Sequence, residues 1–366
     1  MVKRSILLLC MSVLMVPAFA QSPPADPAIS PATQAAVIDS LIHQLKSDYV
    51  YPATVTGIAT GLESRLHAGD YRKDRSAKAF ADHLGRDLRS LGHDRHLRVS
   101  YDPRFQAPVD DGKPVVATKA DLDGERDWVA SQAAGLAAVR HLPGNIGYID
   151  LREFMPADFV GQYYAAAMTL VSGSAGLIID LRQNIGGDPH AVALFLSYFF
   201  AENDGRRLND IYWRKDGTTD HFWTVPVTGP RFLGSVYVLT SARTFSGGEE
   251  CAYDFQTQKR ATLVGAVTGG GANPGGPEML VDGFVAGVPT GRAINPVTKT
   301  NCEHVGVKPD VSAAPADAFN VAYKALLEKG LSATEDGEQR KKLEKVLSLL
   351  QNGRWDVPEY QPVNAN

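Results

Sequence analysis

Residues 235–267 read SVYVLTSARTFSGGEECAYDFQTQKRATLVGAV, and the parsing of this stretch decides the fold. SVYVLT (235–240) is an apolar, β-prone run, GEECAYDFQTQ (248–258) has helical character, and ATLVGAV (261–267) is a second β-prone run. Strand, helix and strand in succession argue for a layered α/β core. The hinge between the first two is Ser246-Gly247-Gly248-Glu249. It has the S-x-x-E form of a capping box, in which Ser and Glu satisfy orphan N–H groups at a helix start. On that reading Ser246 is only a cap. The same position also suits a nucleophile, because the turn exposes the hydroxyl and the helix N-terminus favours negative charge beside it. Gly247 has no side chain to keep an acyl group away, and its N–H is placed to donate to an oxyanion. Thr244 stands where a G-x-S-x-G elbow has its first glycine, so this is a different turn.

The pattern repeats upstream. NIGYIDL (145–151) and GLIIDLR (176–182) are short β-rich runs, with helix-like FVGQYYAAAMTLVSG (159–173) between them. The second run leads into Gly186 and Gly187, a turn that is either a plain strand-to-helix connection or a backbone anion site. Together the two glycine turns offer both donors of an oxyanion hole. DIYWRKDGTTDHFWTV (210–225) predicts a hairpin around Asp216-Gly217. Between residues 34 and 97 the apolar spacing is helical, with Val37, Leu41, Ile42 and Leu45 on one face and Phe80, Leu84 and Leu88 on another. The chain divides into a linker at 21–33, a small helical N-terminal domain at 34–104, a connecting segment at 105–140, a core at 141–312, and C-terminal helices and tail at 313–366. In that tail, EDGEQRKKLEKVLSLLQNG (335–353) predicts a charged, solvated helix with Gly353 at its C-cap.

With 366 residues, 44% of them hydrophobic, the chain can bury one large core or two smaller ones. The formal charge is −4 with no long basic run, which argues against a nucleic-acid partner. Lys3 and Arg4 precede an apolar run at 5–16, and PAFA ends at Ala20, so residues 1–20 read as a cleavable signal peptide. The apolar run is shorter than the ~20 residues a span needs, and no other membrane span is expected after its removal. The mature protein is expected to be exported, either periplasmic or secreted.

A nucleophilic serine needs a base. No lysine lies between Lys259 and Lys299. Histidine is the alternative, and of nine histidines the most suggestive lie in LGHDRHLRV (91–99), with His93, Asp94 and His96 close together. Glu303-His304 in NCEHVGVKPD (301–310) is another place for a base and its orienter. No Cys, His and carboxylate set has zinc-like spacing, so neither a metal nor a cofactor is expected.

Four stretches now add up to a resemblance: DRHLRVSYDP (94–103), LIIDLRQNIGG (177–187), TSARTFSGGEE (240–250) with ATLVGAVTGGG (261–271), and CEHVGVKPD (302–310). In content and order, over about residues 35 to 312, the chain resembles the C-terminal processing (tail-specific) serine peptidase family. More narrowly, it resembles the branch with the tricorn protease core and the interphotoreceptor retinoid-binding protein repeats. The resemblance implies an α/β (α+β) fold: a small helical N-terminal domain, then a crotonase/ClpP-like ββα core. It implies Ser246 as nucleophile, His96 as general base and Glu303 as the acid that orients the base. Gly187, with Gly186 beside it, matches the oxyanion glycine, and Gly247 supplies the second donor. The processing branch has a lysine at the position of Gly271, so a Ser/Lys dyad is not implied. The segment from Arg104 to Leu142 is too short for a PDZ domain, and none is expected.

The implied activity is a serine-type endopeptidase acting on peptide or protein substrates through an acyl-enzyme. A non-catalytic binding module of the same fold, for small apolar ligands or peptides, is the alternative. If the implied triad assembles, Cys251 and Cys302 are brought close, and a disulfide between them is expected, with a chain-entropy contribution on the order of 4 kcal/mol. The sequence does not specify an oligomeric state.

Overall fold

The computed structural model describes residues 26–105 and 117–353. The expected signal peptide at 1–20 lies outside the described residues. The chain divides into two compact units: 1–127 with 211–220 and 273–293, and 128–210 with 221–272 and 294–366.

The first unit is built on three helices, Pro31–Asp48, Pro52–Ala68 and Ala77–Gly92. The first begins ahead of the residue 34 start that periodicity suggests. Ser30 caps it by accepting the Thr33 N–H at 3.1 Å, and Pro31 sits in the first turn, where its missing N–H costs nothing. Val37, Ile38, Leu41, Leu45, Phe80, Leu84 and Leu88 are wholly buried. They do not close a core among themselves. Strand Arg98–Tyr101 pairs antiparallel with Phe284–Pro289, which pairs antiparallel with Gly275–Met279. Leu280, Phe284, Ala286 and Val288 pack into the helical cluster. The N-terminal helices therefore share their core with strands some two hundred residues later in the chain.

The second unit is a six-stranded sheet. In spatial order its strands are Val311–Ser312, Thr262–Gly265, Ser235–Thr240, Gly176–Asp180, Ile146–Leu151 and Leu136–Leu142. Only the last pair is antiparallel. Tyr148, Ile178, Leu239 and Val264 pack with Phe319, Tyr323 and Leu327 of helix Ala318–Ala333. The alternate residues Ile149, Ile179, Val238 and Leu263 are buried as well. A sheet covered on both faces explains why these strands read as continuous apolar runs rather than as alternating ones. On the far face, Tyr164, Phe195, Phe199 and Phe255 meet edge to face at 5.0–5.3 Å, tying together helices Ala157–Val171, Pro189–Ser197 and Gly247–Thr257.

The charged C-terminal helix, Gly337–Gln351, is not solvated all round as its composition suggests. Leu343, Val346 and Leu350 are buried in the second unit's core, one helical face apart. Arg182 is buried at the end of strand Gly176–Asp180. It is paired with Asp180 and donates through Nη1 to the Pro315 carbonyl at 2.6 Å, fastening the entry to the C-terminal helices.

Candidate active site

In the second unit, two parallel neighbours, Gly176–Asp180 and Ser235–Thr240, each end in a turn that starts a helix. The first turn is held by Asn184, which is wholly buried. Its Nδ2 donates to the Leu151 carbonyl and its Oδ1 accepts the Gly186 N–H, both at 2.9 Å. Gly186 and Gly187 have φ of 103° and 132°. A Cβ on Gly187 would stand 2.0 Å from the Phe154 carbonyl oxygen, so no other residue fits. Phe154 flanks the turn on both sides, donating to the Gly186 carbonyl at 2.8 Å and accepting from Asp188 at 2.7 Å.

The second turn centres on Ser246, whose φ of 52° and ψ of −124° are costly for a residue with a Cβ. Both residue types of the capping box are in place, and the glutamate half forms: Glu249 Oε2 accepts the Ser246 N–H at 3.2 Å. The Glu249 N–H donates to the Ser246 carbonyl at 2.8 Å.

The two turns touch. A Cβ on Gly186 would stand 2.7 Å from the Ser246 Cβ and 2.9 Å from the Gly247 nitrogen, and one on Gly247 would stand 3.1 Å from the Gly187 nitrogen. Phe245 N–H donates to the Asn184 carbonyl at 3.0 Å. The Gly186 amide is engaged by Asn184. Neither the Gly187 nor the Gly247 N–H donates to a protein acceptor among the described residues. Two unengaged amides thus lie beside Ser246, a half-buried residue.

Glu249 is fully buried. It also accepts the Gly270 and Gly271 N–H groups, each at 2.7 Å, and the Thr268 hydroxyl. Burial pushes its carboxyl above the ordinary glutamate value, and these bonds pull back only part of the rise. Glu303 is nearly buried. Its Oε2 accepts the Ala272 N–H at 2.6 Å, and its Oε1 lies 3.6 Å from Nδ1 of the half-exposed His304. On helix Gly247–Thr257, burial raises Glu250 to about 8. The residue as a whole is only half-buried, but its Oε1 is shielded from solvent.

His96 belongs to the first unit and sits beside Asp94, which is wholly buried. Asp94 Oδ1 accepts the His96 N–H at 2.9 Å and lies 3.6 Å from its Nδ1. The Tyr49 hydroxyl and the Asn273 amide hold the other oxygen at 3.2 and 3.3 Å. Burial pushes Asp94 up, but the hydrogen bond and charge of His96 outweigh it, leaving the carboxyl below its ordinary value. His93 caps helix Ala77–Gly92 with a left-handed φ of 53°.

Cys251 and Cys302 are both free, so the expected disulfide is not formed. Burial pushes both thiols up, which disfavours the thiolate through which disulfides form. Helix Gly247–Thr257 is tied instead to residues 268–271, through the bonds of Glu249 to Thr268, Gly270 and Gly271. Sequence marks Asp94 by its place beside His96, whereas Asn184, Phe154 and Thr268 carry no residue-type signal for the bonds they make here.

The family model for peptidase family S41 matches residues 145–313, and that for the N-terminal domain of peptidase S41 in eukaryotic IRBP matches residues 31–126. The chain belongs to peptidase family S41. Among solved structures, a candidate peptidase from Parabacteroides merdae is similar at 18% identity and a TM-score of 0.56, over 82% of this chain and 99% of its own. A lipoprotein from Streptococcus agalactiae matches at 15% identity and a TM-score of 0.51, over 83% of this chain and 98% of its own. Mature CPAF complexed with lactacystin matches at 12% identity and a TM-score of 0.51, over 88% of this chain and 100% of its own. The fold is a mixed α/β one with an N-terminal helical region, and no helix among the described residues is long and apolar enough to cross a membrane.

An apolar cavity of about 440 Å³ lies elsewhere on the second unit. Ala193, Leu194, Phe222, Trp223 and Val225 line it, with His190 and His221.

Proposed function

We propose that this chain is a serine endopeptidase that cleaves peptide bonds through an acyl-enzyme on Ser246. The observation that carries the reading is the strained Ser246 turn with the two unengaged amides of Gly187 and Gly247 beside it. Preorganised donors of this kind need no reorganisation when negative charge develops. In the proposed mechanism His96 takes the Ser246 proton as the hydroxyl attacks the peptide carbonyl. The Gly187 and Gly247 N–H groups hold the tetrahedral oxyanion, and Glu303 stabilises the imidazolium. His96 then protonates the leaving amine, and water, activated by the same base, releases the acyl group. Gly186, whose N–H is already engaged, shapes the turn and leaves the donating to its neighbour. The proposed site of action is outside the cytoplasm, periplasmic or extracellular, after cleavage behind Ala20.

The test is labelling of the folded protein by a serine-reactive fluorophosphonate, wild type beside Ser246→Ala. Labelling of wild type alone, with peptide hydrolysis lost in the variant by several orders of magnitude, is the expected result. Equal turnover in Ser246→Ala overturns the reading. A second reading, a binding module for small apolar ligands, is favoured by the apolar cavity at Phe222 and Trp223. It takes precedence if folded wild type resists the probe and an apolar fluorophore is displaced from the cavity by Ala193→Trp.

A further inference from the structure

A glutamate at the third position of a helix needs only one donor, the N–H of the capping residue, to complete a capping box. Glu249 takes four. Its Oε2 accepts from Ser246 and from Gly271, and its Oε1 accepts from Gly270 and from the Thr268 hydroxyl. It is also wholly buried, which costs a carboxylate far more than a surface cap does. The three extra donors come from one segment some twenty residues away. The next amide along that segment, Ala272 N–H, donates to Glu303 at 2.6 Å. Consecutive amides of the Gly271–Ala272 dipeptide therefore hold one carboxylate each.

The same segment is zipped to the loop that carries Glu303. Thr268 N–H donates to the Val307 carbonyl at 3.2 Å, Val307 N–H donates to Thr268 Oγ1 at 2.6 Å, and His304 N–H donates to the Gly270 carbonyl at 3.1 Å. Thr268 Oγ1 thus accepts from Val307 and donates to Glu249.

We propose that Glu249 is a positioning residue of the peptidase site: its carboxylate holds the strained Ser246 turn in register with Glu303 through the Gly271–Ala272 dipeptide. This inference rests on the reading in which Ser246 is the nucleophile and Glu303 the orienting acid. Holding the Ser246 N–H on Glu249 also reserves the oxyanion for the Gly187 and Gly247 amides. A glutamine at 249 keeps the shape but turns an acceptor into a donor, so at least one of the four donors loses its partner and the turn relaxes. Misplacement of a reacting group by about 1 Å costs about 100-fold in rate.

The experiment measures fluorophosphonate labelling of the full chain as a function of probe concentration, for wild type, Ser246→Ala, Glu249→Gln and Thr268→Val. Melting curves establish that each is folded. The expected result is an about 100-fold lower maximal labelling rate in Glu249→Gln at an unchanged half-saturating concentration, with a smaller loss in Thr268→Val. A cap that acts only on stability lowers the melting temperature and leaves the rate of the folded fraction untouched; that result overturns the inference. If Glu249→Gln does not fold, Thr268→Val decides, and a wild-type rate there overturns it. Failure of wild type itself to label removes the peptidase reading, and the inference with it, and is distinct from equal labelling of wild type and Glu249→Gln.

Discussion

The two turns at the ends of the parallel strands Gly176–Asp180 and Ser235–Thr240 solve the same problem by different means. Both start a helix and leave a backbone N–H unengaged. The first does so with glycine alone: Gly187 has a φ no other residue tolerates there, and a neutral amide, Asn184, holds the loop. The second places a side chain, Ser246, at a positive φ and holds it with an acid, Glu249. A turn that supplies only backbone can rely on glycine. A turn that must also supply a hydroxyl carries strain, and needs a buried charge with several donors to keep it.

The sharpest way to break the contrast is Gly187→Ala. The added Cβ meets the Phe154 carbonyl, so the turn must move, and labelling of Ser246 is expected to fall by about 1,000-fold, the upper range for loss of an oxyanion donor. Probe kinetics on the folded fraction check it. Asn184→Ala removes the bonds to Leu151 and Gly186, leaving buried groups unpaired. Denaturant unfolding should show a loss of about 1–3 kcal/mol. Ser246→Gly sharpens the comparison from the other side. It abolishes labelling, yet by relieving the positive φ it should make the protein more stable by on the order of 1 kcal/mol, where a simple cap replaced by glycine would lose stability.

The smallest effect concerns pH. Burial raises Glu250, on the second turn's helix, from 4.5 to about 8. A folded pKa above the unfolded one means that the folded state keeps a proton the unfolded state releases. Glu250 therefore favours folding most below pH 4.5, and that contribution is lost as pH rises through about 8. Glu250→Gln should flatten part of the decline in stability over this window, as read by melting temperature against pH; Asp254, one turn along the same helix and also raised by burial and by Glu250, contributes to the rest. Asn184→Ala should leave the slope unchanged, since the first turn is held by a neutral group.

Much of this was legible in sequence for physical reasons that can be named. Buried parallel strands are apolar throughout, so GLIIDLR and SVYVLT stood out, as did the glycine pairs that follow strands. S-x-x-E marked the helix start. The partners of Glu249 were not legible, because Thr268, Gly270 and Gly271 donate largely through backbone groups that carry no residue-type signal. The clash that makes Gly187 obligatory comes from Phe154, on a different segment, and is equally silent. The cysteines misled by position: closeness to Ser246 and Glu303 in sequence suggested a bond, while both thiols are buried and free. Charge patterning hid the apolar face of helix Gly337–Gln351, since three buried residues spaced by three and four are easily lost among lysines and glutamates.

The first unit's core has a consequence for how the protein is made. Leu41, Phe80 and Leu97 wait for Phe284 and Val288, at least roughly 190 residues further along the chain. At a synthesis rate of roughly 5–20 residues per second, that is roughly 10–40 s during which the opening helices have been made but cannot close their core. The first part of the chain to be born is thus among the last to finish folding. Until then its apolar helix faces are the surface most in need of a chaperone.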